Sequence, residues 1–457
     1  MISHPMTTSG PLLGRGARRM AAALLLGLAA PAWSLDLMQA YRAALEQDAT
    51  LRAARAAADS ARERLPQARA QLLPNIVFSA GRNYNELSRT QENLQRQPVT
   101  TDDQYYSFNQ TLQLRQPLFR KPLWAGLEQA GHIVRDAEAT LERELQNLGV
   151  RVAGAYLETL LAQDQLELVL KQQVFIETQL DAARKALAAG SGIRTDIDDA
   201  QARLDMNRAQ ELEARQHVGY ARRQLEILIN APAGDLARLD ADRLAQLQSG
   251  SASLEEWLAR AEASSPEIRA LGARVETARL EVAKAEGGHY PSLDAVVQFT
   301  RSASENVTSP SSRYENHALG LQLNVPLYAG GYTSSVVRQA LAEQLRAEEM
   351  LEAARRDLGL RLHNEHRGVT EGEMKVKALQ QAVASAEQLL TSSRRAFQAG
   401  SRTRLDVLNA EQQLQAVRRD LAQARYLYLI SRVRLQALAG GDRDSSMAEI
   451  NGCLGLP

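Results

Sequence analysis

Residues 189–196 read Ala-Gly-Ser-Gly-Ile-Arg-Thr-Asp, and residues 399–406 read Ala-Gly-Ser-Arg-Thr-Arg-Leu-Asp. Each stretch separates two long apolar-periodic runs, so each reads as a tight turn between helices, with Gly190 and Gly400 at the left-handed position that closes a helix. The likeness extends well beyond the turns. Under an offset of 217 residues, Leu37, Ala44, Arg52, Ala61 and Pro74 fall on Leu254, Ala261, Arg269, Ala278 and Pro291, and Pro117-Leu118-Phe119 matches Pro326-Leu327-Tyr328. Each half runs helix, Pro, short alternating strands, Pro, then very long helices folded at a Gly. A repeat this long, built of mixed elements, is a duplicated half-structure rather than a solenoid unit.

Upstream of the first turn, Leu141, Leu145, Leu148, Val152, Ala155, Thr159, Ala162, Leu166, Val169, Gln173, Ile176, Leu180, Ala183 and Leu187 keep an unbroken 3,4 spacing. That is a heptad seam, which forces left-handed supercoiling against partner helices. No proline interrupts 123–231 or 327–456. A helix from 123 to 188 is roughly 100 Å long at about 1.5 Å per residue. Such a helix belongs to a rod or to the wall of a tube. Downstream of the second turn, Ala410, Leu414, Val417, Leu421, Ala424, Tyr428 and Ser431 run back in register. Each half therefore holds one antiparallel helical hairpin. Shorter helices over 36–72, kinked at Pro66, and over 254–287 complete the set.

Pro74, Pro117, Pro291 and Pro326 mark the joints where the period changes from helical to alternating. Ile76, Phe78 and Ala80, then Phe108, Leu112 and Leu114, alternate with polar residues. So do Leu293, Ala295, Val297 and Phe299, and Leu319, Leu321, Leu323 and Val325. These are four strands of about ten residues, paired as hairpins through polar loops near 86–104 and 301–315. Their length and one-sided apolar pattern suit a transmembrane β-barrel. An ordinary sheet on a helix layer has the same pattern. Against that, every helical seam is already committed to the long hairpins. Four strands cannot close a barrel, and an open edge in hydrocarbon leaves backbone groups unpaired. If the strands span a membrane, the chain must oligomerise; three copies give twelve strands. Tyr84, Tyr105, Tyr106 and Tyr314, near the loop ends of the strands, and Phe119, Trp124, Tyr328 and Tyr332, near their helix ends, suit either interfacial girdles or ordinary packing.

The N-terminus carries Arg15, Arg18 and Arg19, an apolar run over 20–30, and Ala32-Trp33-Ser34, the pattern of a secretory signal peptide. No Cys follows it, so a lipid anchor is not expected; the single Cys453 cannot form an intrachain disulfide. Net charge is zero, with no basic patch to suggest nucleic acid as a partner. His363 and His366 could share a helix face, but no third metal ligand is identifiable, and no nucleotide-binding or nucleophile motif is present. The reading is a non-enzyme without cofactor or metal. The expected organisation is a signal peptide over 1–34, a first repeat over 35–232, a linker or equatorial segment over 233–253, a second repeat over 254–440 and a tail over 441–457.

With these residues in place, the chain resembles the TolC-type outer-membrane export-duct family. The resemblance rests on Leu-Leu-Pro-Asn (72–75), Gln-Pro-Leu-Phe (116–119), His-Tyr-Pro-Ser-Leu (289–293), Val-Pro-Leu-Tyr-Ala-Gly-Gly (325–331) and Ala-Gly-Ser-Arg-Thr-Arg-Leu-Asp-Val-Leu-Asn-Ala (399–410). It implies an α+β membrane protein: a homotrimer with a 12-stranded β-barrel in the outer membrane and an α-helical barrel in the periplasm. It also implies docking to a periplasmic adaptor (membrane fusion protein) and to an inner-membrane ABC or proton-driven transporter, in type I secretion or multidrug efflux. The alternative is a periplasmic coiled-coil scaffold or adaptor, which accounts for the helical hairpins but not for two amphipathic β-hairpins at equivalent places.

The resemblance also implies that the hairpin tips close the tunnel like an iris. Asp406 then occupies an acidic constriction position, with Asn409 where some relatives carry a second Asp. Arg402 matches a basic residue tying the second hairpin to Thr195 and Asp196 on the first. Phe397 stands where relatives can have Tyr. A plainer role competes: Thr403-x-x-Asp406 is a capping box, and Asp196 holds the equivalent place in the first copy.

Overall fold

The computed structural model describes residues 35–247, 252–304 and 312–455; the expected signal peptide lies outside them. The first half contains α1 (Leu37–Gln47), α2 (Ala49–Arg62), α3 (Arg64–Ala70), β1 (Asn75–Glu92), β2 (Pro98–Phe119), α4 (Lys121–Ala188) and α5 (Arg194–Ile229). After the short α6 (Ala241–Gln246), the second half contains α7 (Leu254–Ser264), α8 (Pro266–Glu286), β3 (Ser292–Ser304), β4 (Ser312–Asn324), α9 (Tyr332–Gln398) and α10 (Arg404–Leu438). A last helix, α11 (Arg443–Gly452), follows.

The four strands form one antiparallel sheet in the order β1-β2-β3-β4, which leaves β1 and β4 as its edges. The duplication extends to the register. Asn75 pairs with Arg115, and their repeat counterparts Ser292 and Asn324 pair with each other. The first hairpin is longer than its copy. What reads as a polar loop over 86–104 is ladder as far as Glu92↔Pro98, giving strands of 18 and 22 residues rather than about ten. Beyond the apolar rows the ladder runs on through mostly polar residues, so the one-sided apolar alternation stops while pairing continues. Asn93 closes the turn by accepting the Gln95 and Gln97 amides, at 3.0 and 2.9 Å.

α4 and α9 hold 68 and 67 residues, so each is about 100 Å long. The two tips end alike. Gly190 (φ 73°) and Gly400 (φ 74°) are left-handed, and Ser191 and Ser401 donate their amides to the Ala186 and Ala396 carbonyls. Pro66 ends α2 rather than bending it, because its ring is incompatible with the Arg62 carbonyl four residues back.

The main core lies at mid-length, where the short helices girdle the long ones. Leu37, Tyr41, Leu148, Val152, Leu225, Leu362, Leu429 and Ile450 are buried there. The buried Tyr156 hydroxyl donates to the Leu35 and Ala237 carbonyls at 2.8 and 3.2 Å, tying the segments on either side of α4. Residues 441–457, expected as a tail, supply Met447, Ile450, Cys453 and Leu454 to this core. Burial pushes the Cys453 thiol pKa up, which makes it a packing residue rather than a reactive one.

Candidate functional site

The hairpin tips are built on two small apolar seams. Ile176, Leu180, Ala200 and Leu204 join α4 to α5, and Ala386, Leu390, Val407, Ala410 and Leu414 join α9 to α10. Phe175 packs against both seams. It also lies under the Arg394 guanidinium, 5.4 Å from ring centroid to Cζ, a cation–π contact between the hairpins. Arg394 in turn pairs at 3.2 Å with Glu411, whose side chain is buried.

Asp406 begins α10 as the third residue of a capping box. Its Oδ2 accepts the Thr403 amide and hydroxyl, each at 2.8 Å, and its own amide donates to Thr403 Oγ1 at 3.3 Å. The Thr403 amide, then its hydroxyl, and the nearby Arg402 charge hold the Asp406 carboxyl below the ordinary carboxylate range. Asn409, one helical turn on, is exposed on the same face.

The first tip differs. The residue at the cap of α5 is Ile193, whose side chain has no acceptor, so Asp196 sits in the first turn without a reciprocal side-chain cap. The second capping box expected from the repeat is therefore absent, because Ile stands where the other copy has Thr. Gly192 replaces Arg402 at this tip. A Cβ there would lie 2.7 Å from the Leu187 amide nitrogen.

Within one chain Arg402 donates to the buried Ser393 Oγ on its own hairpin, at 2.9 Å, not to Thr195 or Asp196. A second hairpin-to-hairpin contact comes from Arg404, whose Nη1 reaches the Gln179 carbonyl at 3.4 Å while its guanidinium lies over Phe397. Sequence reasoning missed Arg404, Phe175, Arg394 and Glu411. The available signal was Phe175, one of six Phe in the chain, lying between the Gln173 and Ile176 positions of the heptad seam.

The joint of strands and helices holds a second cluster. Arg115 Nε and Arg120 Nε donate to the two oxygens of the buried Asp294 carboxylate, at 2.9 and 2.8 Å, locking β2, β3 and the start of α4 together. Pro117 lies beside it at the irregularity in the β2–β3 ladder. Among the described residues no group of His, Cys, Asp and Glu is arranged to hold a metal ion, and no helix is long and apolar enough to cross a membrane.

The sequence profile described as "Outer membrane efflux protein" matches residues 40–231 and again 257–441. Protease secretion protein PrtF of Dickeya chrysanthemi is 32% identical over 92% of this chain and 91% of its own length. Alkaline protease secretion protein AprF of Pseudomonas aeruginosa is 33% identical over 92% and 87%. Outer membrane protein TolC of Vibrio cholerae is 30% identical over 93% and 95%. Among solved structures, the Vibrio cholerae outer membrane protein VceC superimposes with a TM-score of 0.74 at 20% identity, over 89% of this chain and 96% of that one.

Proposed function

This chain belongs to the outer membrane efflux protein family, and from that membership we propose that three copies close one barrel and one tunnel that passes secreted protein. It is an outer-membrane channel of type I secretion and efflux systems of Gram-negative bacteria, not an enzyme. The observation that carries the trimer is the sheet. Among the described residues its β1 and β4 edges have no strand partner, and Phe78, Ile76, Leu321 and Leu319 are 65%, 65%, 70% and 82% exposed on one face. Apolar side chains on that scale are stable in hydrocarbon, and hydrocarbon tolerates the strand edges only when other copies pair with them. The opposite face carries Ser79, Asn83, Gln113, Thr111, Gln298 and Asn316, which suits a water-filled lumen. A periplasmic scaffold would leave the apolar face without a cover.

The cargo reading is a protein, a secreted protease first, because PrtF and AprF are named for protease secretion and align over nine-tenths of this chain. An inner-membrane ABC transporter and a periplasmic adaptor would engage the tips. There Asp406, Asn409, Arg402, Thr195, Asp196 and Phe397 form the gate, turning on Gly190 and Gly400. The test is reconstitution of a type I system in cells lacking their own duct. An ABC exporter, its adaptor and a protease substrate are co-expressed with or without this chain. Protease in the medium and a heat-dissociable trimer in the outer membrane are expected only with it. A monomeric soluble periplasmic product would reject the reading.

A further inference from the structure

The apolar face of the sheet changes character toward the hairpin turns. The ladder aligns side chains in rows across all four strands. Two rows nearer the helices read Ile76, Leu114, Val297, Leu319 and then Phe78, Leu112, Phe299, His317. The next two, on the same face, read Ala80, Gln110, Arg301, Glu315 and then Arg82, Phe108, Ala303, Arg313. Three arginines thus face outward against a single glutamate, immediately beyond the last apolar row. Arg301 pairs with Glu315 at 3.2 Å. Arg82 lies over the Tyr106 ring, at 4.8 Å, and among the described residues neither Arg82 nor Arg313 is paired with a carboxylate. A groove of about 980 Å³ runs between these two, floored by Phe108 and Ala303.

The geometry points to a binding site for a phosphorylated glycolipid of the outer leaflet, its phosphates held by Arg82 and Arg313 and its acyl chains lying along the two rows that contain Leu112, Phe299 and Leu319. The inference rests on the outer-membrane barrel proposed above, which places the hairpin turns outside the cell. An outward-facing arginine is costly at mid-bilayer and tolerated at the interface, so the arginine rows mark the headgroup level. Arginine is suited to that level because its planar fork binds phosphate bidentately. Three inter-strand steps of about 4.8 Å place the Arg82 and Arg313 backbones roughly 14 Å apart. Two cationic posts flanking one groove complement a sugar pair phosphorylated at both ends better than they complement a single phosphodiester.

The test uses the full-length trimer in detergent and native mass spectrometry to titrate bound lipid. Bisphosphorylated lipid A should bind at least tenfold tighter than lipid A stripped of both phosphates, and tighter than phosphatidylglycerol. The double variant Arg82→Gln, Arg313→Gln should lose that preference, whereas Arg89→Gln, on the opposite face of β1, should keep it. Inorganic phosphate should not displace the lipid. Equal affinity of the unaltered trimer for both forms of lipid A overturns the site, and that measurement needs no variant to fold. A conducting trimer without lipid preference refutes the site alone; a chain that forms no trimer refutes the assembly and the site with it.

Discussion

The two tips differ in one capping residue, and that difference gives a measurable contrast. Thr403 accepts the Asp406 amide and donates to its carboxylate, whereas Ile193 at the equivalent place offers α5 no side-chain group and only its backbone carbonyl takes the Asp196 amide, at 3.3 Å. Replacing an N-cap Thr by Ala costs about 1 kcal/mol, with a range of about 0.5–2. At about 1.4 kcal/mol per decade, Thr403→Ala should speed hydrogen exchange of the first-turn amides of α10 roughly fivefold, within about 2- to 30-fold. Thr403→Ser should change it little. In the unaltered protein the first turn of α5 should already exchange faster than that of α10 by a similar factor. The reverse substitution, Ile193→Thr, installs Thr three residues before Asp196 and should slow exchange at the first tip. The measurement is hydrogen–deuterium exchange with mass spectrometry on peptides covering 193–198 and 403–408. Since the folded Asp406 pKa is lowered, the carboxylate's share of the cap is present above the unfolded value of 3.8. It is lost as pH falls through the folded value. Equal protection at both tips, unmoved by Thr403→Ala, would refute the claim that this box holds the second tip.

Asp406→Asn keeps an oxygen for the cap; if, as proposed, Asp406 rings the threefold axis of the gate, it removes three carboxylates there, and planar-bilayer recordings should show reduced cation selectivity. Unchanged selectivity would mean Asp406 serves the cap alone. Arg402→Ala frees the buried Ser393 hydroxyl and loosens the tip, so resting conductance should rise; a channel as tightly shut as before removes Arg402 from the gate. Tyr426→Phe deletes the hydroxyl that donates to Asp164 at 2.8 Å, at a cost of about 1–3 kcal/mol with the carboxylate charged. Burial raises the Asp164 pKa, so its contribution to stability falls as pH rises through that raised value. The thermal penalty of Tyr426→Phe should accordingly be larger at about pH 8 than in acid; a penalty independent of pH would contradict a charged Asp164.

The fold was legible because its signals are long. A heptad seam from Leu141 to Leu187 and the prolines at 74, 117, 291 and 326 each leave one reading for their segment. The strand ends were not legible, because past the lipid a paired strand and a polar loop share one composition; residues 86–104 carry no period to separate them. The C-terminal helix was missed because ten residues of α11 are too short to show a seam. At the tips, the turn glycines and the Thr403–Asp406 box could be read from local spacing. The Phe175–Arg394 and Arg404–Gln179 contacts could not, since they join positions more than two hundred residues apart.

Duplication also explains where control can reside. In a tube made of like halves, residues that match under the repeat do the shared work of holding the wall, so function that breaks the symmetry must sit where the copies diverge. Three divergences are chemical. Asp294, Arg115 and Arg120 bind β2 to β3 within a chain, but their repeat counterparts are Val77, Asn324 and Ala329, which cannot form an ion pair. The seam inside each chain is thus locked by charge, while a seam between chains would depend on the ladder and apolar packing. At the tips, Thr403 and Arg402 face Ile193 and Gly192, so the second hairpin is capped and bonded to Ser393 while the first ends on an uncapped turn. An iris needs some elements that keep their shape and others that yield. The capped hairpin supplies the first kind and the uncapped hairpin the second, so opening should begin at residues 190–196 and reach 400–406 afterwards. Cysteine cross-links that restrain the first tip should therefore hold the channel shut more firmly than matched cross-links at the second, and the opposite order in conductance recordings would reverse the assignment.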